Sequence, residues 1–513
     1  MSKDRNALEQ VLHGAAITFV ISIVGTLLAF VFKLLAARYF IPAEYGLYEL
    51  FATTLGLLLI IANLGIKSGI TRFLPYYKEK KQQTKLAGFT LFVIWIPLLS
   101  SLFASFLLVM FANQITAFFG FSPSFTVFLH MAAIYLPFKS LNTMLATIFV
   151  AYKKMFYAHF GLNIIERIVM VVGMLIIIYK QLSIVYLFVA MGLSIFLPFL
   201  FYALTIRKVM AFSFKSRTYV TKEWFAFSLP LLLTGVFAYI LNWTDNFTIA
   251  KFIGVHELGV YAVSYSLANY VFYLPGLLNL IFLPILTEYH ARGDSYEHIF
   301  KRIKLWGLSI ALCAGAVLII FPTQILSLFF GAQYAAGAVS LMILSLSFAV
   351  VVYFGYYYSL LMLYKDTMFI FYNTIAFSIL NIILNIVFAL VFGTIEMIAL
   401  SSGLSILLMK FSEFLRSRKY MKENHQLIHV GKLLIAVITA VVVSLFLLRV
   451  LLPLLAIPVM LRLIISLAVY GLTFVFTFVA IKGVVADDMI FIEMCEKKFR
   501  LNLKWLRKLL LRR

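Results

Sequence analysis

Several charged side chains stand where water should be scarce. Lys33, Lys139, Glu166, Arg167 and Asp245 each lie inside a run of about twenty mostly apolar residues. An ion in hydrocarbon is costly, so a residue of this kind faces a water-filled cavity or a partner. Cations placed there can receive an anionic group. Asp245 sits among Asn242, Thr244, Asn246 and Thr248. A lone carboxylate in such a polar patch can bind a proton or Na+, can pair with Lys33, or can lie at the outer end of its helix. Glu166 and Arg167 are adjacent and point about 100° apart on a helix, so each is expected to pair with a different helix. Glu49 and Glu413 lie nearer the ends of their runs and are weaker cases.

These residues must be held by membrane-spanning helices. The chain has 513 residues, 64% of them hydrophobic and only 12% charged, and a mean hydropathy of +1.03. A water-soluble fold of this size cannot hide that much apolar surface. Lipid offers the backbone no hydrogen bonds, so the long runs must be helices; the short alternating segments of a β-barrel are not seen. The runs predict about fourteen spans, near 14–35, 45–66, 88–111, 124–151, 160–179, 183–205, 225–250, 258–287, 303–322, 338–363, 368–392, 395–415, 431–451 and 459–481. The first is too long for a cleavable signal and is expected to stay in place.

Basic residues test the count. Lys67, Arg72, Lys78, Lys80, Lys81 and Lys85 follow the second span, and Lys410, Arg416, Arg418, Lys419 and Lys422 follow the twelfth. Segments 112–123, 322–337 and 393–394 carry no Lys or Arg. This alternation is the positive-inside pattern, and it places both termini in the cytoplasm. The net charge of +23 therefore requires no nucleic-acid partner. The tail, 486–513, mixes Leu, Trp and basic residues at helical spacing and is expected either to lie on an anionic membrane face or to be solvated.

The chain repeats itself. AARYFIPAEYGLY at 36–48 aligns with IAKFIGVHELGVY at 249–261, and FLP at 73–75 is met again at 282–284. Arg38 aligns with Lys251, Gly46 with Gly259 and Tyr48 with Tyr261. Six spans separate the copies, so both point the same way, as in transporters with parallel repeats. Arg38 and Lys251 stand on the outer side against the charge rule. They are expected either to cap carbonyls at the end of their own spans or to face a central aqueous space. Lys33 aligns with Asn246.

Little in the sequence suggests an enzyme. The eight histidines are scattered, Cys313 and Cys495 are far apart, no phosphate-binding GxxxxGK[ST] loop occurs, and no metal or cofactor motif is seen. The aromatics Tyr353, Phe354, Tyr356, Tyr357 and Tyr358 are read mainly as packing, with stacking on sugars as the alternative.

The segment ARYFIPAEYGLY, followed by NLG at 63–65 and by Arg72, resembles the opening of the polysaccharide biosynthesis (oligosaccharide flippase, Wzx-type) family of the multidrug/oligosaccharidyl-lipid/polysaccharide (MOP) exporter superfamily. Ile41 departs from that family's usual glycine at the turn. WTDNFTIAKFIGVHELGVYAVSYSLAN at 243–269 is similar to the second-half counterpart. The resemblance implies an all-α, MATE-like pair of six-helix lobes, here 1–215 and 216–424, with two extra helices in 425–485. It implies alternating access and, as substrate, a polyprenyl-(pyro)phosphate-linked oligosaccharide moved from the cytoplasmic to the outer leaflet of the plasma membrane by a monomer, with H+ or Na+ as a coupling ion. Lys33, Arg72, Lys139, Arg38 and Lys251 are then candidate substrate-binding cations, with snorkelling as the alternative for Arg72 and Lys139. Asp245, Asn242 and Asn246 are candidate coupling-ion or gating residues. A cation-coupled multidrug exporter of the same superfamily is the alternative; it usually has about twelve spans.

Overall fold

A computed structural model describes residues 2–121, 125–208, 217–276, 278–421, 427–451 and 458–481. The basic tail lies outside the described residues. All regular structure within them is helical. Among the described residues, twelve helices are long and apolar enough to cross a membrane. Helices at Val255–Gly276 and Val459–Ala480 occupy the positions of the two remaining expected spans.

The helices in chain order are α1 (Ser2–Tyr39), α2 (Pro42–Ala62), α3 (Ile66–Glu79), α4 (Gln83–Met110), α5 (Ala112–Phe119), α6 (Phe125–Ala151), α7 (Met155–His159), α8 (Glu166–Lys180), α9 (Val185–Thr205), α10 (Thr221–Phe252), α11 (Val255–Gly276), α12 (Asn279–Arg292), α13 (Glu297–Ile320) and α14 (Pro322–Phe329). They continue as α15 (Ala338–Gly355), α16 (Tyr357–Leu363), α17 (Thr367–Phe392), α18 (Ile395–Ser417), α19 (Leu427–Phe446) and α20 (Val459–Ala480). A π-helical turn, Phe160–Ile165, joins α7 to α8.

The repeat seen in the sequence is a repeat of helix boundaries. α2 and α3 begin at 42 and 66, and α11 and α12 begin at 255 and 279; both offsets are 213. Between α2 and α3 the backbone takes positive φ at Leu64 (+49°) and at Gly65 (+69°), the residue before α3, in the left-handed region that glycine tolerates. The expected second span, 45–66, thus ends at the break, and α3 is a separate helix. Pro42 starts α2 at the position where a missing N–H costs nothing. Two expected loops also turn out to hold short helices, α5 and α14, eight residues each.

The chain divides into two compact units. Unit 1 runs through Ala262 and adds Ser327–Tyr334 and Ile382–Ile395; unit 2 holds Val263–Leu326, Ala335–Asn381 and the residues from Glu396. In unit 1 an aromatic core joins α3, α4 and α10. Trp224 is fully buried, its indole N–H donates to Tyr77 Oη at 3.0 Å, and its ring meets Phe89 and Phe92. The hydroxyl and the indole satisfy each other, which lets two polar handles sit in an apolar core. In unit 2, α13 packs on α15, and α19 packs on both α13 and α20. Tyr356 lies against Gly307 and donates to the Pro275 carbonyl at 3.1 Å.

Within unit 1 the two repeat copies touch each other. A side chain on Gly46 would collide with the carbonyl of Val255, and one on Gly259 with the carbonyl of Pro42. Each contact is the other with the copies exchanged. Backbones this close require glycine on both sides.

Candidate functional site

In unit 1, Lys33 and Lys139 each pair with a carboxylate. Lys33 on α1 reaches Glu49 on α2, with Nζ 3.1 Å from Oε1. The same oxygen accepts from the Tyr45 hydroxyl at 2.8 Å, one turn back on α2. Lys139 on α6 meets Glu166 at the start of α8, 2.6 Å away. Glu166 directly follows the π-helical turn, a device that shifts the helix register and so re-aims the residues beyond it. Tyr48 lies within electrostatic range of Glu49, Arg167 and Glu166, so both pairs border one region of α2. The second oxygen of Glu166 is buried without a hydrogen-bond partner among the described residues.

The other candidate cations lie elsewhere. Arg72 is exposed on α3. Its guanidinium lies 4.4 Å from the centre of the Phe227 ring and 5.4 Å from that of Phe73, an aromatic perch suited to a cation. Arg38 donates through Nε to the Phe329 carbonyl at 2.8 Å and through Nη2 to the Leu328 carbonyl. Lys251 donates to the Phe118 carbonyl at 2.8 Å. Both residues cap carbonyls, but not, as expected, at the ends of their own spans. The carbonyls belong to the last turns of α14 and α5. The capping is crossed: the first copy caps the short helix of the second half, and the second copy that of the first. Cations at a helix C-terminus are favourable both as donors and against the dipole.

Asp245 on α10 is 2% exposed. It accepts from the Tyr261 hydroxyl and from the Asn385 amide at 2.9 Å. Three helices, α10, α11 and α17, thus converge on one carboxylate. Asn246 turns the other way and donates to Thr53 Oγ1 on α2 at 2.7 Å. Asn242 folds back on its own helix, donating to the Ala238 carbonyl at 2.6 Å. Among the described residues no group of three or more His, Cys, Asp or Glu is placed to hold a metal ion.

Glu49 and Glu166 were missed as a matched set. The helical spacing rules see partners three or four residues apart; Lys33 and Glu49 are separated by a turn between helices, and Lys139 and Glu166 by 27 residues. The only sequence signal was an intramembrane charge on each side.

A family model described as polysaccharide biosynthesis protein matches residues 35–340, well over half of the chain. The chain belongs to the polysaccharide biosynthesis protein family. Its fold is that of MOP-superfamily transporters. The lipid II flippase MurJ in an inward closed conformation superposes with a TM-score of 0.67 at 17% identity, over 91% of this chain and 98% of that one. An inward-facing multidrug resistance MATE family transporter of the MOP superfamily gives 0.60 at 14% identity, over 79% and 98%. A MOP superfamily transporter from Pyrococcus furiosus gives 0.55 at 14% identity, over 81% and 95%. No curated protein matches the chain in sequence. This member of the polysaccharide biosynthesis family is therefore a multi-pass membrane protein of transporter fold.

Proposed function

We propose that the protein flips a polyprenyl-(pyro)phosphate-linked oligosaccharide from the cytoplasmic to the outer leaflet of the plasma membrane by alternating access. The single observation that carries this reading is the pair of lysines, Lys33 and Lys139, held inside membrane helices by carboxylates. A phosphate drawn toward hydrocarbon must exchange its water for cations, and these two provide them. Family membership and the likeness to a lipid II flippase support a lipid-linked anionic substrate. Arg72, on its aromatic perch, is the candidate first contact. Arg38 and Lys251, whose donors are taken up by carbonyls, are better read as parts of the scaffold. In this reading the termini are cytoplasmic, the lobes are 1–215 and 216–424, and the chain acts as a monomer.

Asp245 is the candidate coupling site, for H+ or Na+. Its donors, Tyr261 and Asn385, come from two other helices, so a change in its charge would be felt by three helices at once. The same residue favours the second reading, a cation-coupled multidrug exporter, which the likeness to a MATE transporter also supports.

The deciding experiment is genetic. Deletion of the gene should leave lipid-linked oligosaccharide on the cytoplasmic face, and a Lys33→Ala copy should not restore export. Normal surface glycan together with lowered drug resistance would instead establish the multidrug reading.

A further inference from the structure

The two ion pairs share an arrangement that a purely structural salt bridge does not need. In each, the lysine side chain is more exposed than the carboxylate side chain. The Lys33 side chain is 29% exposed against 6% for Glu49, and that of Lys139 is 21% exposed against 12% for Glu166. Glu49 also has a means of staying in place when its lysine leaves. Glu49 is held by the Tyr45 hydroxyl, whose O–H needs no lysine. Glu166 lies inside the continuous helix from Met155 to Lys180, and its second oxygen is buried without a hydrogen-bond partner among the described residues. The lysines, by contrast, are compact charges on flexible four-carbon stems and can swing to an arriving anion.

We infer that Glu49 and Glu166 are intramolecular competitors of the substrate. They hold Lys33 and Lys139 between transport cycles, yield them to the incoming phosphates, and reclaim them to drive the anion off. The inference rests on the reading of Lys33 and Lys139 as the phosphate site and adds to it the means of release. A site made only of cations would bind a diphosphate tightly and let it go slowly. A built-in carboxylate lowers affinity and raises the rate of dissociation, where most affinity differences between related complexes reside. At Glu49 the bound state is eased by the Tyr45 donor that remains; at Glu166 no second donor remains among the described residues, so the release of Lys139 is the costlier of the two.

The competitor role makes a prediction opposite in sign to that of a structural salt bridge. Binding of farnesyl diphosphate to the purified full-length protein in detergent is measured by calorimetry and stopped-flow dissociation, with farnesol as the uncharged control. Glu49→Gln and Glu166→Gln should each bind the diphosphate more tightly, by about tenfold, roughly the worth of one partly buried charge pair. They should release it more slowly and leave farnesol binding unchanged. Lys33→Gln and Lys139→Gln should each weaken diphosphate binding by tenfold or more. If the lysine variants bind the diphosphate as the parent does, the phosphate-site reading itself is wrong. If the lysine variants lose binding while both glutamine variants bind as the parent or more weakly, the site stands and the competitor role is wrong. Glutamine preserves the shape of each carboxylate and, at 49, an acceptor for Tyr45. Loss of monodisperse, cooperatively melting protein in both glutamine variants would make the carboxylates structural and would equally overturn the inference.

Discussion

Two equivalent places in the repeat have been filled differently. In the first copy Phe32 meets Tyr48 edge to face, with ring centres 5.6 Å apart. In the second copy the aligned residues are Asp245 and Tyr261, and the tyrosine hydroxyl donates to a buried carboxylate. Helix, register and tyrosine are the same; one side chain has turned an apolar contact into an ionisable site. The neighbouring positions diverge as well. Lys33 and Asn246 are aligned, and both reach α2: Lys33 contacts Glu49 and Asn246 contacts Thr53, one helical turn apart. The scaffold is thus duplicated, while the polar groups at the aligned positions 33 and 246 both contact a helix of the first copy. What repeats is backbone, where a change is hard to accommodate. What differs is the side-chain complement, where a change creates a site.

That contrast can be broken most severely at the backbone. Gly46→Val or Gly259→Val places a branched side chain on a carbonyl, and such overpacking costs about 3 kcal/mol or more where neither backbone can yield. Both variants should fail to give monodisperse protein on size exclusion, whereas Gly276→Ala, which meets open space, should behave as the parent. The chemistry should fail next. If Asp245 is the coupling site proposed above, Asp245→Asn should lower flux in proteoliposomes by about tenfold or more with little change in yield. Phe32→Leu, at the aligned position, should change flux by less than about twofold, because it trades one apolar group for another. Equal effects of the two would show that the copies are not functionally distinct.

The crossed caps sharpen the comparison at lower cost. Arg38→Ala and Lys251→Ala should each destabilise by about 0.5–1 kcal/mol, the usual worth of a cation at a helix C-terminus. The two should match in thermal melts, since each removes the same kind of contact from an equivalent helix. The smallest effect is expected away from the repeat core. Asp366, between α16 and α17, accepts from Arg416 at 2.7 Å and from Tyr420 at 2.8 Å. The Arg416 guanidinium chiefly holds its carboxyl below the usual range. A lowered folded value means that the contribution is present in full above about pH 4 and is lost as pH falls through that lower value. Asp366→Asn should therefore lower Tm by no more than about 2 °C at neutral pH. The difference from the parent should vanish in strong acid.

The sequence made the membrane helices and the repeat legible for a physical reason. Both are written in long patterns, apolar runs set by bilayer thickness and glycines set by backbone contact, and Gly46 and Gly259 needed only to be aligned. Lys33, Lys139 and Asp245 stood out because each is an ion in an apolar run. Glu166 stood out in the same way and Glu49 more weakly, but the pairings did not, since Glu49, Glu166, Tyr261 and Asn385 come from other helices, and only packing decides which faces meet. The same holds for Arg38 and Lys251. Capping was foreseeable from their places at helix ends, but α5 and α14 lie in segments that read as loops. At eight residues each they are too short to announce themselves by periodicity.

The contact between Gly46 and Gly259 is the same seen from either side. In the language of assemblies it is isologous: one surface serves as both donor and acceptor of the fit. A chain of half this length, carrying a single such glycine after an α1-like helix, would meet its own copy by that contact. One residue choice would satisfy both sides. In the full chain the choice has to be made twice, at positions 213 apart, and a change at either position is felt by both helices.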